Sequence, residues 1–282
     1  MQVGIMSRTY RRDSLDGVLN AVVSAGFRSI QFNLSAAGLD TLPSRLPAAR
    51  ARAIGDAVTR RGLAMAAISG TFNLIHPDET RRREGLARLG RLAESCQWLG
   101  TRTISLCTGT LDPDDMWTAH ADNDGPGAWR ALCASIEDAI AQAEQHEVVL
   151  AVEPEPANVM STARHARRLL DDLRAPRLKV LIDPANLAIA GDPEGARSAL
   201  DEAFQLLGED VVLAHAKDLS AQPGQGFVAA GKGCIDFERY IRLLDEVGYS
   251  GPLILHGLTE HEVGESVAFL ERLTDGAPMP AW

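Results

Sequence analysis

The stretch VVLAVEPEPANVMSTARHARRLLDDLRAPRLKVLID, residues 148 to 183, decides the fold. An apolar run ends on Glu153, a segment of helical length follows, and a second apolar run ends on Asp183. Nearly continuous apolar runs are typical of parallel strands that are buried on both faces, whereas strands with one wet face alternate apolar and polar residues. The stretch is therefore interpreted as a strand–helix–strand unit of a parallel sheet.

The same unit repeats along the whole chain. Segments between the apolar runs place apolar residues on one helical face, such as Leu15, Val18, Leu19 and Val22. Eight β-then-α units predict an α/β fold, a single (β/α)8 TIM barrel that forms one domain over residues 1–282. The functional residues of such a barrel lie at the C-terminal ends of its strands. The predicted strands lie near residues 2–6, 27–32, 63–69, 101–107, 148–153, 178–183, 211–216 and 252–256.

Composition excludes several classes of protein. The net charge of −10 disfavours a nucleic-acid partner, because nucleic-acid binders need a basic face. No apolar stretch approaches the roughly 20 residues that span a bilayer, so no membrane partner is expected. The N-terminus MQVGIMSRTYRR lacks the features of a signal peptide, which predicts a cytoplasmic protein. The four cysteines lie far apart and are expected to be reduced thiols.

Four late strands end on residues of metal-ligand type: Glu153, Asp183, His215 and His256. A single histidine at a strand end is more often a hydrogen-bonded structural residue, but a barrel brings all four strand ends around one mouth. Two carboxylates and two imidazoles without a thiolate suit Mn²⁺, Co²⁺, Fe²⁺ or Zn²⁺ and, less well, Mg²⁺. The sequence therefore predicts one divalent metal ion at the mouth.

Several motifs resemble the sugar phosphate isomerase/epimerase family, whose members have a xylose-isomerase-like barrel. The resemblance covers essentially the whole chain, and it implies a metal-dependent enzyme of carbohydrate metabolism that holds one divalent ion, often Mn²⁺. Relatives use Glu, Asp, His and Glu from the fifth to eighth strands, and Glu153, Asp183 and His215 match the first three. The motifs are ISLCTGTLDPDDMW (104–117), AVEPEPANV (151–159), VLIDPANL (180–187), LAHAKDL (213–219) and GKGCIDFERYIRLLDEVGYSGPLILHG (231–257).

The chain departs from the family pattern at two positions. His256 occupies the eighth-strand position where relatives have a Glu that works with the fifth-strand Glu as an acid/base pair. Asn186 stands where many relatives have His, and it is a candidate substrate contact. Besides Glu153, the candidate catalytic groups are Glu155, two residues further along, and Lys217, whose alternative role is an ion pair with Asp218 or Glu153.

Long loops supply further candidates for substrate binding. The segments after the third and fourth strands contain Asn73, His76, Trp117 and His120, whose amide, imidazole and aromatic groups suit a sugar. The alternative for Trp117 is packing of the loop itself. Glu260 follows His256 by four residues and is either a substrate contact or a carboxylate at a helix start.

The leading hypothesis is a metal-dependent isomerase or epimerase that acts on a sugar, keto-sugar or related polyol through an enediolate. The alternative within the same chemistry is a lyase or dehydratase that acts on an inosose or a 3-keto-glycoside. An apurinic-endonuclease-like nuclease and a non-catalytic sugar-binding protein are the other classes considered. The sequence leaves open the sugar, its phosphorylation, the native metal and a homo-oligomeric state.

Overall fold

A computed structural model describes residues 1–274 and forms a closed barrel of eight parallel strands. Every predicted strand is confirmed, with ends that differ by at most two residues. The barrel strands are β1 (Val3–Met6), β2 (Ser29–Phe32), β3 (Ala64–Ser69), β4 (Thr103–Cys107), β5 (Val149–Glu153), β6 (Leu178–Ile182), β7 (Val211–Ala216) and β10 (Leu253–Leu255). Two short antiparallel strands, β8 (Asp218–Leu219) and β9 (Phe227–Val228), lie outside the barrel.

The barrel closes between its first and last strands. β1 pairs in parallel with β10, with Ile5 opposite Leu255, and on its other side with β2. Because side chains alternate along a strand, half of the apolar residues point inward and fill the barrel. This inner layer consists of Met6, Ala67, Ala151, Leu181, Leu213 and Ile254.

Within residues 1–274, eight helices surround the barrel, and each follows a strand as predicted. Their buried faces carry the periodic apolar residues, such as Val18, Leu19 and Val22, and pack on the outside of the sheet. Ser14 and Asp236 cap two of the helices by accepting a backbone N–H group. The helices are α1 (Leu15–Ser24), α2 (Ala48–Thr59), α3 (Glu79–Leu99), α4 (Pro126–Gln145), α5 (Ala163–Leu173), α6 (Pro193–Leu207), α7 (Phe237–Glu246) and α8 (Val263–Thr274).

Two long loops rise above the C-terminal end of the barrel. The loop between β4 and α4 carries a 3₁₀ turn at Ala121–Asp124, and the loop between β7 and α7 contains the β8–β9 ribbon. The buried carboxylate of Asp218 accepts hydrogen bonds from four backbone N–H groups of the second loop. Asp218, the residue that follows Lys217, therefore fixes the path of the β7–α7 loop.

Along residues 1–274, no helix is both long and apolar enough to cross a membrane. The four cysteines are free thiols, as expected. The predicted single domain includes residues 275–282, which lie outside the described part of the chain, so its full extent stays a prediction.

Candidate metal centre and active site

The four side chains at the strand ends converge at the mouth of the barrel, as the sequence predicts. Each of Glu153, Asp183, His215 and His256 offers a ligand atom that lies within 4.8 Å of the other three. Glu153 ends β5, Asp183 follows β6, His215 lies in β7 and His256 follows β10. Register in a closed barrel aligns these strand ends, so residues more than 100 positions apart meet in one buried cluster.

His215 is held from below by a hydrogen-bond network inside the barrel. Its Nε2 lies 2.7 Å from Oε1 of the buried Gln31, and Gln31 Nε2 donates to Ser105 Oγ at 3.0 Å. Because the Gln31 oxygen is an acceptor, the imidazole carries its proton on Nε2. The Nδ1 lone pair of His215 therefore points toward the carboxylates of Glu153 and Asp183.

The Nδ1 atom of His215 is buried and has no hydrogen-bond partner among the described residues. It lies 3.6 Å from Glu153 Oε1 and 3.8 Å from Asp183 Oδ2, too far for a hydrogen bond. Buried polar atoms are rarely left unpaired, and two buried carboxylates need positive charge. Ligand atoms about 2.0–2.2 Å from one ion lie about 3 Å or more apart, so the cluster fits a divalent cation with little movement.

His256 is the fourth candidate ligand, and it occupies the position where relatives have the eighth-strand Glu. Its Nε2 donates to Asp183 Oδ2 at 2.6 Å, and its ring centroid lies 4.3 Å from that of His215. Burial and the neighbouring His215 lower the pKa of His256 to about 4, so this imidazole is neutral near pH 7. A neutral imidazole binds a metal through the ring nitrogen that carries no proton, so ligation through Nε2 requires the proton of His256 to be on Nδ1.

The carboxylates of Glu153 and Asp183 carry two negative charges, and with both imidazoles neutral the ammonium group of Lys217 balances only one of them. Burial lowers the pKa of His215, but the nearby carboxylates of Glu153 and Asp183 together outweigh burial and raise that pKa overall. Burial raises the pKa of Asp183, but Lys217 and the two imidazoles hold that pKa well below its usual range. A proton on His215 and a bound cation are therefore alternative ways to neutralise the same two carboxylates.

Asn186 links the cluster to two further ionisable groups. Its Nδ2 donates to Glu153 Oε1 and to Glu155 Oε2, both at 2.9 Å, while its Oδ1 accepts from Lys217 Nζ at 2.6 Å. Burial, followed by the charge of Glu153, raises the pKa of Glu155 to about 7. With this pKa, Glu155 can both accept and donate a proton near neutral pH.

Lys217 is buried and points into the mouth. Its Nζ lies 3.3 Å from Asp183 Oδ2, so its ion pair is with Asp183 and not with Asp218 or Glu153. The ring of Phe227 covers the ammonium group at 3.5 Å, which is cation–π geometry. Gly257, with φ of +71°, leaves room for this lysine, because a side chain there would lie 2.9 Å from Lys217 carbons.

A cavity of about 590 Å³ lies above the cluster, a size suited to a small organic molecule. Trp117 from the β4–α4 loop and Phe227 from the β7–α7 loop line it, and they are 49% and 45% exposed. Glu153, Glu155, Lys217, His215 and His256 also face it, whereas Asp183 lies behind them. The mouth thus combines two aromatic surfaces with ionisable groups, an arrangement typical of small-molecule sites.

Five of the six residues predicted to bind substrate lie outside this cavity lining, and one of the five is Asn186, which bonds the ionisable groups as described above. Asn73 Nδ2 donates to Thr110 O at 2.8 Å, and a ring nitrogen of His76 lies 3.0 Å from Pro113 O. His120 caps the 3₁₀ turn of the same loop, and Glu260 pairs with Arg12 at 2.6 Å. Asn73, His76 and His120 therefore shape the loop that carries Trp117, and a substrate-binding role for them and for Glu260 stays a prediction.

Comparison with known proteins identifies the barrel. The sequence profile of the xylose isomerase-like TIM barrel matches residues 19–273, which is most of the chain. The chain belongs to the xylose isomerase-like TIM barrel family. The resemblance noted in the sequence is thus confirmed at the level of the family.

Named relatives within the family include sugar epimerases. L-ribulose-5-phosphate 3-epimerase UlaE of Shigella flexneri is 26% identical over 195 residues, which cover 67% of this chain and 61% of that relative. 3-keto-D-glucoside 4-epimerase YcjR of E. coli has a TM-score of 0.71 and 18% identity, covering 96% and 99% of the two chains. IOLI protein, solved with a bound zinc atom, has a TM-score of 0.72 and 16% identity, covering 98% and 97%.

Several residues of this xylose isomerase-like site were missed from the sequence. Gln31, Ser69 and Ser105 lie in β2, β3 and β4 and form the polar network under His215. Arg8 and Phe227 line the cavity from loops. The signal for Gln31 was present, because a glutamine inside the apolar run FRSIQF of a buried strand needs a polar partner.

We expect Gln31→Leu to weaken divalent-metal binding by roughly 10–100-fold, the usual effect of losing a hydrogen bond to a metal-binding histidine. The leucine removes the acceptor for Nε2–H, so His215 no longer keeps its Nδ1 lone pair toward the carboxylates. Calorimetric titration of the metal-free protein with Zn²⁺ or Mn²⁺ measures the change. Gln97→Leu, on the exposed face of α3, is the matched control, and equal affinities in the two variants would contradict the role of Gln31.

Proposed function

We propose that this protein is a divalent-metal-dependent isomerase or epimerase of a sugar, keto-sugar or related polyol, and that it works through an enediolate. The observation that carries the proposal is the buried Nδ1 of His215, which has no hydrogen-bond partner within residues 1–274 and lies between two carboxylates at the floor of a cavity of small-molecule size. The activities of UlaE and YcjR, and the zinc atom of IOLI, support the same chemistry. A small carbohydrate is the proposed partner, with Mn²⁺ as the first candidate metal.

Glu153, Asp183, His215 and His256 would hold the ion. When bound, a divalent ion supplies a Lewis acid that polarises a substrate carbonyl and raises the acidity of the neighbouring C–H bond. The proposal requires the carboxylates to be ionised, and Lys217 favours this state of Asp183 from 3.3 Å. Glu153 is the carboxylate of the set that also borders the cavity.

Glu155 is the proposed base that removes the carbon-bound proton. Asn186 fixes one Glu155 oxygen by a hydrogen bond of 2.9 Å, which leaves the other oxygen available to the substrate. Lys217 is proposed to donate to the substrate oxygen on which negative charge develops. Phe227 and Trp117 cover the reacting groups and limit the access of water, which strengthens these interactions.

A lyase or dehydratase is the second candidate, and it shares the first step. Removal of a proton next to a carbonyl leads to elimination when a leaving group occupies the next carbon. The observation in its favour is His256, because elimination does not need the second carboxylate that epimerisation uses in relatives. Analysis of the product separates the two functions, since elimination gives an unsaturated product with a different mass.

Incubation in D₂O with ketoses, aldoses, inososes and 3-keto-glycosides, phosphorylated and not, tests the proposal directly. NMR is expected to detect deuterium at a carbon next to the carbonyl in the metal-loaded protein. Protein treated with a chelator is the control and is expected to show no exchange. Absence of exchange from every compound with the metal-loaded protein would contradict the proposed function.

We expect Trp117→Ala to raise KM by about tenfold and to leave kcat within about twofold. Trp117 is half exposed and lies on the cavity wall, so its ring offers binding that is equal in the ground and transition states. Steady-state kinetics on the substrate found in the exchange experiment measure both constants. A fall in kcat at unchanged KM would contradict the assignment of Trp117 to binding.

The proposal also includes a cytoplasmic location and leaves open a homo-oligomeric state. A cytoplasmic enzyme without a nucleic-acid partner agrees with the net charge of −10. Size-exclusion chromatography with light scattering tests for the homo-oligomer that the sequence leaves open.

A further inference from the structure

The groups that can take a proton from a substrate are unevenly distributed around the cavity. Among the described residues, Glu153 and Glu155 are the carboxylates that face it, and both come from the end of β5. They lie on one wall of the mouth. An epimerisation that uses two bases requires one base on each face of the substrate. Two carboxylates on one wall of the cavity do not provide this arrangement.

Lys217 belongs to the same wall. Asn186 bridges all three groups, with 2.9 Å to each of Glu153 and Glu155 and 2.6 Å to Lys217 Nζ. The side chains therefore form one continuous hydrogen-bonded set that spans the ends of β5, β6 and β7. A substrate above the cluster would meet every one of these groups from a single side.

In the described part of the chain, the opposite wall of the cavity carries no equivalent group. The strand order β1-β10-β7-β6-β5-β4-β3-β2 puts β1 directly across the barrel from β5. On that side the cavity is lined by Arg8 and Asn33, and within residues 1–274 no carboxylate or lysine joins them. His256, beside β1, has its Nε2 against Asp183 at 2.6 Å and belongs to the metal-ligand set.

We propose that the protein transfers protons on one face of its substrate and is an aldose–ketose isomerase, not an epimerase. This inference rests on the proposed function. The Glu155 carboxylate breaks the C–H bond of the hydroxyl-bearing carbon next to the carbonyl and holds the proton. The hydroxyl proton moves to the former carbonyl oxygen, and Glu155 returns its proton to the former carbonyl carbon. No oxidant or further reactant is needed, because every atom of the substrate is kept.

The test uses the full chain loaded with Mn²⁺ and a panel of ketopentoses and ketohexoses with their aldoses, each free and as its phosphate ester. In D₂O we expect deuterium at C1 of the ketose and C2 of the aldose, without a C3 epimer. With an aldose deuterated at C2 in H₂O, part of the label is expected at C1 of the ketose, because one base carries it between adjacent carbons.

The outcomes separate this inference from the proposed function. A C3 epimer with solvent deuterium at the inverted carbon would overturn the single-face assignment and leave the proposed function standing. An unsaturated product with no aldose–ketose interconversion would also overturn it, in favour of the lyase. No exchange at any sugar, in protein that contains a full equivalent of metal, would contradict the proposed function and this inference with it.

Glu155→Gln tests the group that carries the proton. We expect its rate of label transfer to fall by at least 100-fold while bound metal, measured by elemental analysis, stays equal to that of the unaltered protein. Glu84→Gln, on an exposed turn of α3, is the matched control and is expected to change neither quantity. Label transfer that survives in Glu155→Gln would show that another group carries the proton and would overturn the assignment.

Discussion

Glu153→Gln and Asp183→Asn are each expected to lower kcat/KM by about 10³-fold or more. Each substitution keeps the size of the side chain but removes one of the two buried anions of the cluster. Transition-state stabilisation by a bound metal is worth several kcal/mol, and each 1.36 kcal/mol corresponds to a factor of ten in rate. Loss of the metal therefore accounts for the expected size of the effect.

Asp183→Asn is the sharper of the two tests, because Asp183 does not line the cavity and is not expected to contact the substrate. Its Oδ1 accepts from Ala185 N at 3.1 Å, a bond that an asparagine oxygen preserves. Its Oδ2 faces His256 and Lys217, so an amide NH₂ there would meet two donors. Metal content by elemental analysis and turnover of the same sample are the measurements, and both are expected to fall together.

Asp210→Asn is a matched control for the loss of an ion-paired carboxylate. Asp210 pairs with Lys179 at 2.5 Å and with Arg167 at 3.0 Å, near the start of β7 and so at the other end of the barrel. This variant is expected to lose some stability while it keeps its metal. Asp183→Asn that retains both metal and turnover would contradict the proposed metal centre.

The fold could be predicted because the strands of a closed barrel are buried on both sides. FRSIQF and LKVLID remain strongly apolar for this reason, and their ends are within two residues of β2 and β6. The meeting of Glu153, Asp183, His215 and His256 followed from the same rule, since parallel strands put their ends at one mouth. Their role as metal ligands stays a prediction.

Loop residues were less predictable, because periodicity does not specify the path of a loop. Asn73 and His76 face the β4–α4 loop instead of the cavity, and a sequence pattern cannot distinguish these directions. Glu155 follows Pro154, which prevents a simple extension of strand alternation. A turn closed by Glu155 N donating to Met160 O at 3.0 Å places its side chain at the mouth.

The internal polar layer was missed for a different reason. In a barrel the functional residues are expected at the ends of the strands, whereas Gln31 reaches His215 from within β2, a strand on the other side of the barrel. Strand order and register decide which interior side chains meet, and both are properties of the closed barrel. A polar residue in a buried strand is the general signal that such a network exists.

His256→Ala is expected to reduce the metal content of the dialysed protein from about one equivalent to well below half at pH 7. The imidazole contributes the fourth ligand atom, and alanine leaves three protein ligands around the ion. Elemental analysis after dialysis measures the effect. His261→Ala, which removes an exposed imidazole five residues further along, is the matched control and should retain its metal. Full metal content in His256→Ala would show that His256 is instead a substrate contact or a structural residue.

Two further measurements separate ligation by His256 from a structural role. His256→Glu should restore the metal content, because a carboxylate supplies a ligand atom in the position that relatives fill with Glu. If the role of His256 were only structural, the anionic side chain of this variant would not restore the metal content. Metal content in the unaltered protein should fall as the pH drops through the imidazole range, since a protonated histidine cannot bind an ion. His215 should set this fall, because the carboxylates of Glu153 and Asp183 together outweigh burial and raise its pKa, whereas the pKa of His256 is lowered to about 4. Metal uptake near neutral pH should accordingly release a proton, which calorimetry in buffers of different ionisation enthalpy can count.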